Sequence, residues 1–372
     1  MNHPGVPHVN PARKTTAQGG PGLPASTEPA ASPAARGGRL PRSFWGWARA
    51  LAGVAVLAAL LWRLGSGPFV AGLRLIDGAA VAAALGIGLV TTSCAAWRWS
   101  LVAAGLGVRL PLREAVAHCY RAAFLNSTLP GGVLGDVDRA VRHGRDCGDV
   151  SRGVRAVVWE RTAGQAVTVV LAVGVLAAFP SPARPHLPAV AALVAAAALG
   201  AVLLGRVAPR SGASGWARAL RTAVADVRSG VLGRRSWAGV LVASAVVLAG
   251  HLATFVVAAR TAGVDAPLSR LLPLTLLALL AMILPLNVGG FGPREGVAAW
   301  AFAAAGLTAA QGVAAATVYG ALALVASLPG GLVLLARRLP PPVVAGVVPP
   351  APVATARAAR WASRPARTGV HG

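Results

Sequence analysis

Four acids sit close to arginines inside apolar stretches: Asp136 and Asp138 with Arg139, Glu160 with Arg161, and Glu295 with Arg294. A charge held in hydrocarbon costs about 3 kcal/mol or more unless it finds a partner, so such residues mark ion or substrate paths. Arginine makes two parallel hydrogen bonds to a phosphate or carboxylate, and an adjacent acid balances its charge or meets a cationic group. The chemistry these types and spacings point to is recognition of a charged group, above all a phosphate, away from bulk water.

The elements that carry these residues repeat. Asn126-Ser-Thr-Leu-Pro130-Gly131-Gly132-Val-Leu-Gly135-Asp136-Val-Asp138-Arg139 and Leu284-Pro285-Leu-Asn287-Val-Gly289-Gly290-Phe-Gly292-Pro293-Arg294-Glu295 each break an apolar run at Pro and Gly-Gly, then reach an acid with an arginine close by. The glycines let the backbone turn and free amide groups, and a helix that restarts after the break points its positive dipole end at an anion. Asp136 is placed to cap that restarting helix. Two such breaks in corresponding halves of a membrane chain point to a substrate site between them.

Composition sets the class. Of 372 residues, 55% are hydrophobic and 12% charged, which describes an integral membrane protein. The net charge of +24 is almost all arginine, Lys14 being the only lysine. Those arginines lie between apolar spans, so they fit topology and anionic lipid, with no nucleic acid expected as a partner. Cys94, Cys119 and Cys147 lack paired spacing and the histidines form no ligand set, so no metal and no cofactor are expected. No nucleotide-binding or nucleophile motif is present, and no catalytic residue follows from the motifs.

Spans of about 20 apolar residues fall at 47–64, 77–97, 154–179, 187–205, 237–259 and 309–335. Trp45, Trp47, Trp62, Trp97, Trp99 and Trp237 lie at or near their ends as interfacial anchors. The interrupted stretches 112–143 and 268–307 are too short for two full crossings each. The expected fold is all-α: about six transmembrane helices plus two oppositely inserted re-entrant hairpins forming an inverted repeat. Read this way, the arginine-rich connections fall on one side, placing both termini in the cytoplasm of a multi-pass plasma-membrane protein. Residues 1–43 and 337–372 read as disordered basic tails, 44–336 as the membrane domain, and no cleavable signal is evident.

Smaller signals complete the map. Arg161, Gln165 and Thr168 share a helical face, with Gly164 beside them for close packing. His118 and Arg121 lie one turn apart, and Ser244 and His251 lie seven apart on one face. From Gly215 to Arg235, Trp216, Leu220, Val224, Val227 and Val231 recur at helical spacing opposite Arg218, Arg221 and Arg228, an amphipathic helix for the inner leaflet. Asp77 and Asp265 read as loop caps.

Asn126 to Leu129 with Pro130-Gly131-Gly132 and Gly135-Asp136…Arg139, Glu160-Arg161 with Gly164, and Pro285…Gly289-Gly290-Phe-Gly292…Glu295 together resemble the lysylphosphatidylglycerol synthase transmembrane-region family, over residues 45–336. In the best-known members, the membrane region translocates aminoacylated phosphatidylglycerol and a separate cytosolic domain makes it. The resemblance therefore implies a flippase-like membrane domain without the synthase domain, with a membrane phospholipid as partner and a separate synthase or transferase as a further one. Some relatives are linked to polyprenyl-phosphate sugar transfer.

The expected function is movement of an anionic or modified, aminoacylated among them, phospholipid between leaflets. The headgroup would be held by Pro130, Gly131, Gly132, Asp136, Arg139, Glu160, Arg161, Gln165, Asn287, Gly289, Gly290, Gly292, Arg294 and Glu295. The alternative is a membrane-embedded transferase on a polyprenyl-phosphate or phospholipid headgroup, with Asp136 or Glu160 as general base.

Overall fold

The computed structural model describes residues 58, 61–62, 65–129, 132–207, 215–283 and 292–336. Alanine, leucine and valine fill these segments, and with backbone donors satisfied within the segment the helix is the form such a chain takes in lipid. Eleven α-helices result: α1 (Gly67–Arg74), α2 (Gly78–Gly105), α3 (Leu112–Thr128), α4 (Leu134–Asp146), α5 (Val150–Ala178), α6 (Leu187–Val207), α7 (Gly215–Asp226), α8 (Trp237–Thr261), α9 (Leu268–Ala281), α10 (Pro293–Ala304) and α11 (Ala309–Ala336). Among the described residues there is no strand.

Among the described residues, five helices are long and apolar enough to cross a membrane: α2, α5, α8, α11 and the run Arg184–Leu204 that contains most of α6. The protein is an all-α membrane protein. The expected spans from 77 onward are all present, several of them longer than the apolar count suggested, because helix continues past the apolar core to a cap. Asp77 starts α2 by accepting the Ala80 amide at 2.8 Å, and Asp149 starts α5 by accepting that of Arg152 at 2.9 Å. The expected span 47–64 and both tails lie outside the described residues, apart from Ala58, Leu61 and Trp62.

The interrupted stretches fold as two pairs of short helices, α3 with α4 and α9 with α10. Their lengths are 17, 13, 14 and 12 residues. At 1.5 Å per residue none exceeds about 26 Å, short of a hydrocarbon layer of about 30 Å.

Helix α11 is what both pairs lean on. A Cβ on Gly330 would lie 2.1 Å from the Tyr120 carbonyl of α3, and one on Gly312 would lie 2.4 Å from the Ala298 carbonyl of α10. These glycines are eighteen positions apart, an axial distance of about 27 Å. The two pairs thus pack against opposite ends of one long helix.

The core divides accordingly. Phe255, Leu271, Leu274, Phe302, Tyr319 and Leu322 fill the interior among α8, α9, α10 and α11. Trp99, Ala103, Ala115, Cys119, Ala140 and Ala156 fill that among α2 to α5. Helix α8 borders both and packs on α2, α5, α9 and α11.

The segment expected as an amphipathic helix is α7 followed by a π turn, Val227–Val231. Its apolar side is less uniform than the spacing suggested: Trp216 is exposed, while Ala217 and Asp226 are the buried residues of α7. Asp226 explains the difference. It accepts the Trp159 indole at 3.2 Å and pairs with Arg155 at 2.8 Å, so α7 is held to α5 through a carboxylate.

Candidate functional site

Glu160 lies fully buried on α5, and a carboxylate there persists only with close partners. Arg98 of α2 donates to Oε1 from Nε at 2.9 Å and from a terminal nitrogen at 2.6 Å, and its other terminal nitrogen donates to Ser244 of α8 at 3.0 Å. Arg139 of α4 donates to Oε2 at 2.9 Å. The same guanidinium reaches Asp136 at 3.1 Å and Cys119 Sγ at 3.2 Å, and lies 4.6 Å from the centre of the Trp99 ring. Gly164 makes the space: a Cβ there would fall 2.7 Å from an Arg98 nitrogen. Five helices, α2, α3, α4, α5 and α8, are tied at one point.

Asp136 extends the cluster outward. Its Oδ2 takes hydrogen bonds from Arg161 and, at 3.1 Å, from the Asn126 amide. Asn126 in turn accepts the Gly135 amide at 2.8 Å. The residue that satisfies the start of α4 is therefore Asn126 from the opposite arm, not Asp136 as expected, which leaves Asp136 for the arginines. Three arginines (Arg98, Arg139, Arg161) meet two carboxylates (Asp136, Glu160), leaving one positive charge over. That charge is accessible, since the Arg161 side chain is 49% exposed against 16% for Asp136. Gln165, one turn further along α5, is also exposed. Gly132, with φ of 60°, takes the left-handed conformation that the turn into α4 requires. Asp138 is occupied separately, by Arg121 at 2.8 Å and Arg142 at 2.9 Å.

The second pair of helices holds a different arrangement. Arg294 and Glu295 are buried and bonded to each other, and Glu295 also accepts the Gly292 amide at 2.7 Å, closing the start of α10. Gly292 has φ of 128°, where a side chain would be strained. The Arg294 guanidinium lies 5.1 Å from the centre of the Tyr319 ring, and the Tyr319 hydroxyl is 3.0 Å from His251 Nδ1. Glu295 pairs with Arg294, and Arg161 belongs to Asp136.

The family model of the lysylphosphatidylglycerol synthase transmembrane region matches residues 49–330. The chain belongs to that family. Neither a curated protein nor a solved structure matches it. In this member of the lysylphosphatidylglycerol synthase transmembrane-region family, the matched stretch takes in both short-helix pairs, the Glu160 cluster and the Arg294–Glu295 pair.

Of the residues singled out from sequence, the fold brings Asp136, Arg139, Glu160 and Arg161 together and keeps Gly292, Arg294 and Glu295 as a second group. Pro130, Gly131, Asn287, Gly289 and Gly290 lie outside the described residues. His118 and Arg121, expected to face one cavity, part company: His118 packs edge-on to Trp99 and Arg121 goes to Asp138. Arg98 and Asn126 were missed as members of the cluster. Arg98 reads as one of the positive residues at a span end, yet α2 runs seven residues past it, which sets it about 10 Å inside the helix. That count was the available signal. For Asn126 the signal was its place ahead of the break.

Proposed function

We propose that the protein moves an anionic or modified phospholipid between leaflets, with the headgroup phosphate bound at Arg161. The supporting observation is the half-exposed Arg161 on a cluster that carries one surplus positive charge. A surplus charge at membrane depth favours an anionic partner, and a bidentate guanidinium suits a phosphate. Arg98, Glu160 and Arg139 form the fixed base beneath it. Asp136 holds Arg161 in place until a phosphate takes over as its partner, and then is free to meet a cationic substituent.

In this reading the two short-helix pairs are re-entrant hairpins inserted from opposite faces of the plasma membrane, with the chain's termini in the cytoplasm. Their packing at opposite ends of α11 and their sub-spanning lengths support it, as does the distribution of arginine. Membership of a family named for a lipid synthase's membrane region supports a lipid as cargo. The transferase alternative is weakened at its base: both oxygens of Glu160 are held by arginines, and those of Asp136 by Arg139, Arg161 and Asn126.

The test is leaflet exchange of fluorescent phosphatidylglycerol in proteoliposomes, read by dithionite quenching. Arg161→Ala should slow exchange about tenfold or more in a protein that elutes and melts like the parent. Undiminished exchange by this variant would remove the site assignment.

A further inference from the structure

Helices α5 and α7 leave an open groove of about 470 Å³ between them, within the range of ligand pockets. None of its lining residues belongs to the Glu160 cluster. One wall is the first turns of α5. Facing it, α7 sets two rows, each repeating every four residues. Gly215, Ala219 and Ala223 form one row, and Arg218, Thr222 and Asp226 form the other. The small residues leave the space, and the polar row gives it chemistry.

Asp226, buried, ties the groove to α5. Its Oδ2 accepts the Trp159 indole at 3.2 Å and lies 2.8 Å from Arg155 Nε. A terminal nitrogen of Arg155 donates to the Ser151 hydroxyl at 2.9 Å, so this guanidinium is held along the α5 wall by contacts on both sides. Two guanidiniums, those of Arg155 and Arg218, and one carboxylate line the groove. The sign of the lining is therefore positive, and a phosphodiester with a single negative charge would bring the sum to zero. Arginine and hydroxyl donors are the groups that recognise a phosphate.

The apolar part of the lining decides between a soluble phosphate and a lipid. Val154 and Val158 border the groove from α5 and both are exposed, on a helix long and apolar enough to cross a membrane. Trp216, beside Gly215 on α7, is exposed as well, and tryptophan favours the headgroup level of a bilayer. A soluble anion gains nothing from these side chains. A phospholipid can lay the start of its chains on the valines while its phosphate meets the arginines. The chain's own tails are basic and carry the wrong sign for this groove.

We propose that the α5–α7 groove is a binding site for an anionic phospholipid, distinct from Arg161, with the headgroup phosphate received by Arg155 and Arg218. Bound there, the lipid fastens α7 to α5 beside the attachment that Asp226 already makes. The assignment does not depend on the transport reading of Arg161.

The experiment places the protein in phosphatidylcholine nanodiscs with a trace of phosphatidylglycerol carrying a diazirine close to its glycerol, and maps the cross-links by peptide mass spectrometry. Labelling is expected within residues 151–159 and 215–226, and unlabelled phosphatidylglycerol should displace it where added phosphatidylcholine does not. Arg218→Gln should weaken that displacement about tenfold or more, the worth of one charge-assisted contact. Asp226→Asn keeps an oxygen for the Trp159 indole and removes the opposing charge, so it should strengthen the displacement. A groove that only packs α7 against α5 would not move in opposite directions in these two variants. Arg161→Ala should label and compete like the parent. No labelling in the groove, equal displacement by phosphatidylcholine, or two variants that shift the same way overturns the inference. Displacement by glycerol phosphate as strong as by the lipid overturns the lipid as occupant, and loss of competition in Arg161→Ala overturns the separateness of the site.

Discussion

Arg161 on α5 donates to Asp136 on α4, and of the two only the arginine is open to its surroundings. Its neighbour in sequence, Glu160, points the other way and is closed in by Arg98 and Arg139. A single step of the α5 helix thus separates a fixed ion pair from a replaceable one.

The replaceable pair predicts a graded series. Arg161→Ala should slow lipid exchange about ten- to a hundredfold, the worth of one charge-assisted contact. Arg161→Lys should recover part of it, keeping the charge and losing the fork. Dithionite quenching in proteoliposomes measures the order, and a lysine variant no better than alanine would point to shape over charge.

The fixed pair predicts a stability effect instead. Glu160→Gln leaves Arg98 buried without its counter-charge and Arg139 with Asp136 alone, and should cost about 3–5 kcal/mol. Replacing Glu160 and Arg98 together by Leu and Met should cost less than the single change, read by unfolding in mixed detergent.

Gly164→Ala should be destabilising out of proportion to one methyl group. The added carbon would press on the Arg98 guanidinium, which cannot retreat while bonded to Glu160 and Ser244. A loss of about 1–3 kcal/mol is expected, and a smaller loss from the same change in an Arg98→Met background than in the parent would confirm the origin.

The proposed opposed insertion of the two short-helix pairs predicts opposed labelling. Cys147, exposed just after α4, should react with an impermeant maleimide from the cytoplasmic side. A cysteine placed at Gly306, just after α10, should react from the outside in a background lacking Cys94, Cys119 and Cys147. Reaction of both from one side would contradict the opposed arrangement.

The all-helical membrane architecture was legible in the sequence because apolar length and arginine placement report directly on a bilayer. The charged groups were legible as candidates for the same reason: Asp136, Glu160 and Arg161 are conspicuous in hydrocarbon. Which partner each takes was not. Arg98 meets Glu160 across 62 positions, and Asn126 reaches back across the break to Gly135. Such pairings depend on how helices pack, where small residues such as Gly164 decide the approach. Arg294 is shut in with Glu295, because Gly292 and the start of α10 draw that acid inward.

Because α3 and α10 sit in glycine notches at Gly330 and Gly312, α11 has the layout of a seesaw. A tilt of about 10° around its midpoint shifts the two notches by about 2 Å in contrary directions, given their spacing of about 27 Å. The contact at one notch would loosen as that at the other tightens. A cross-link that fastens α10 to α11 would then hold the far notch too, beside α3.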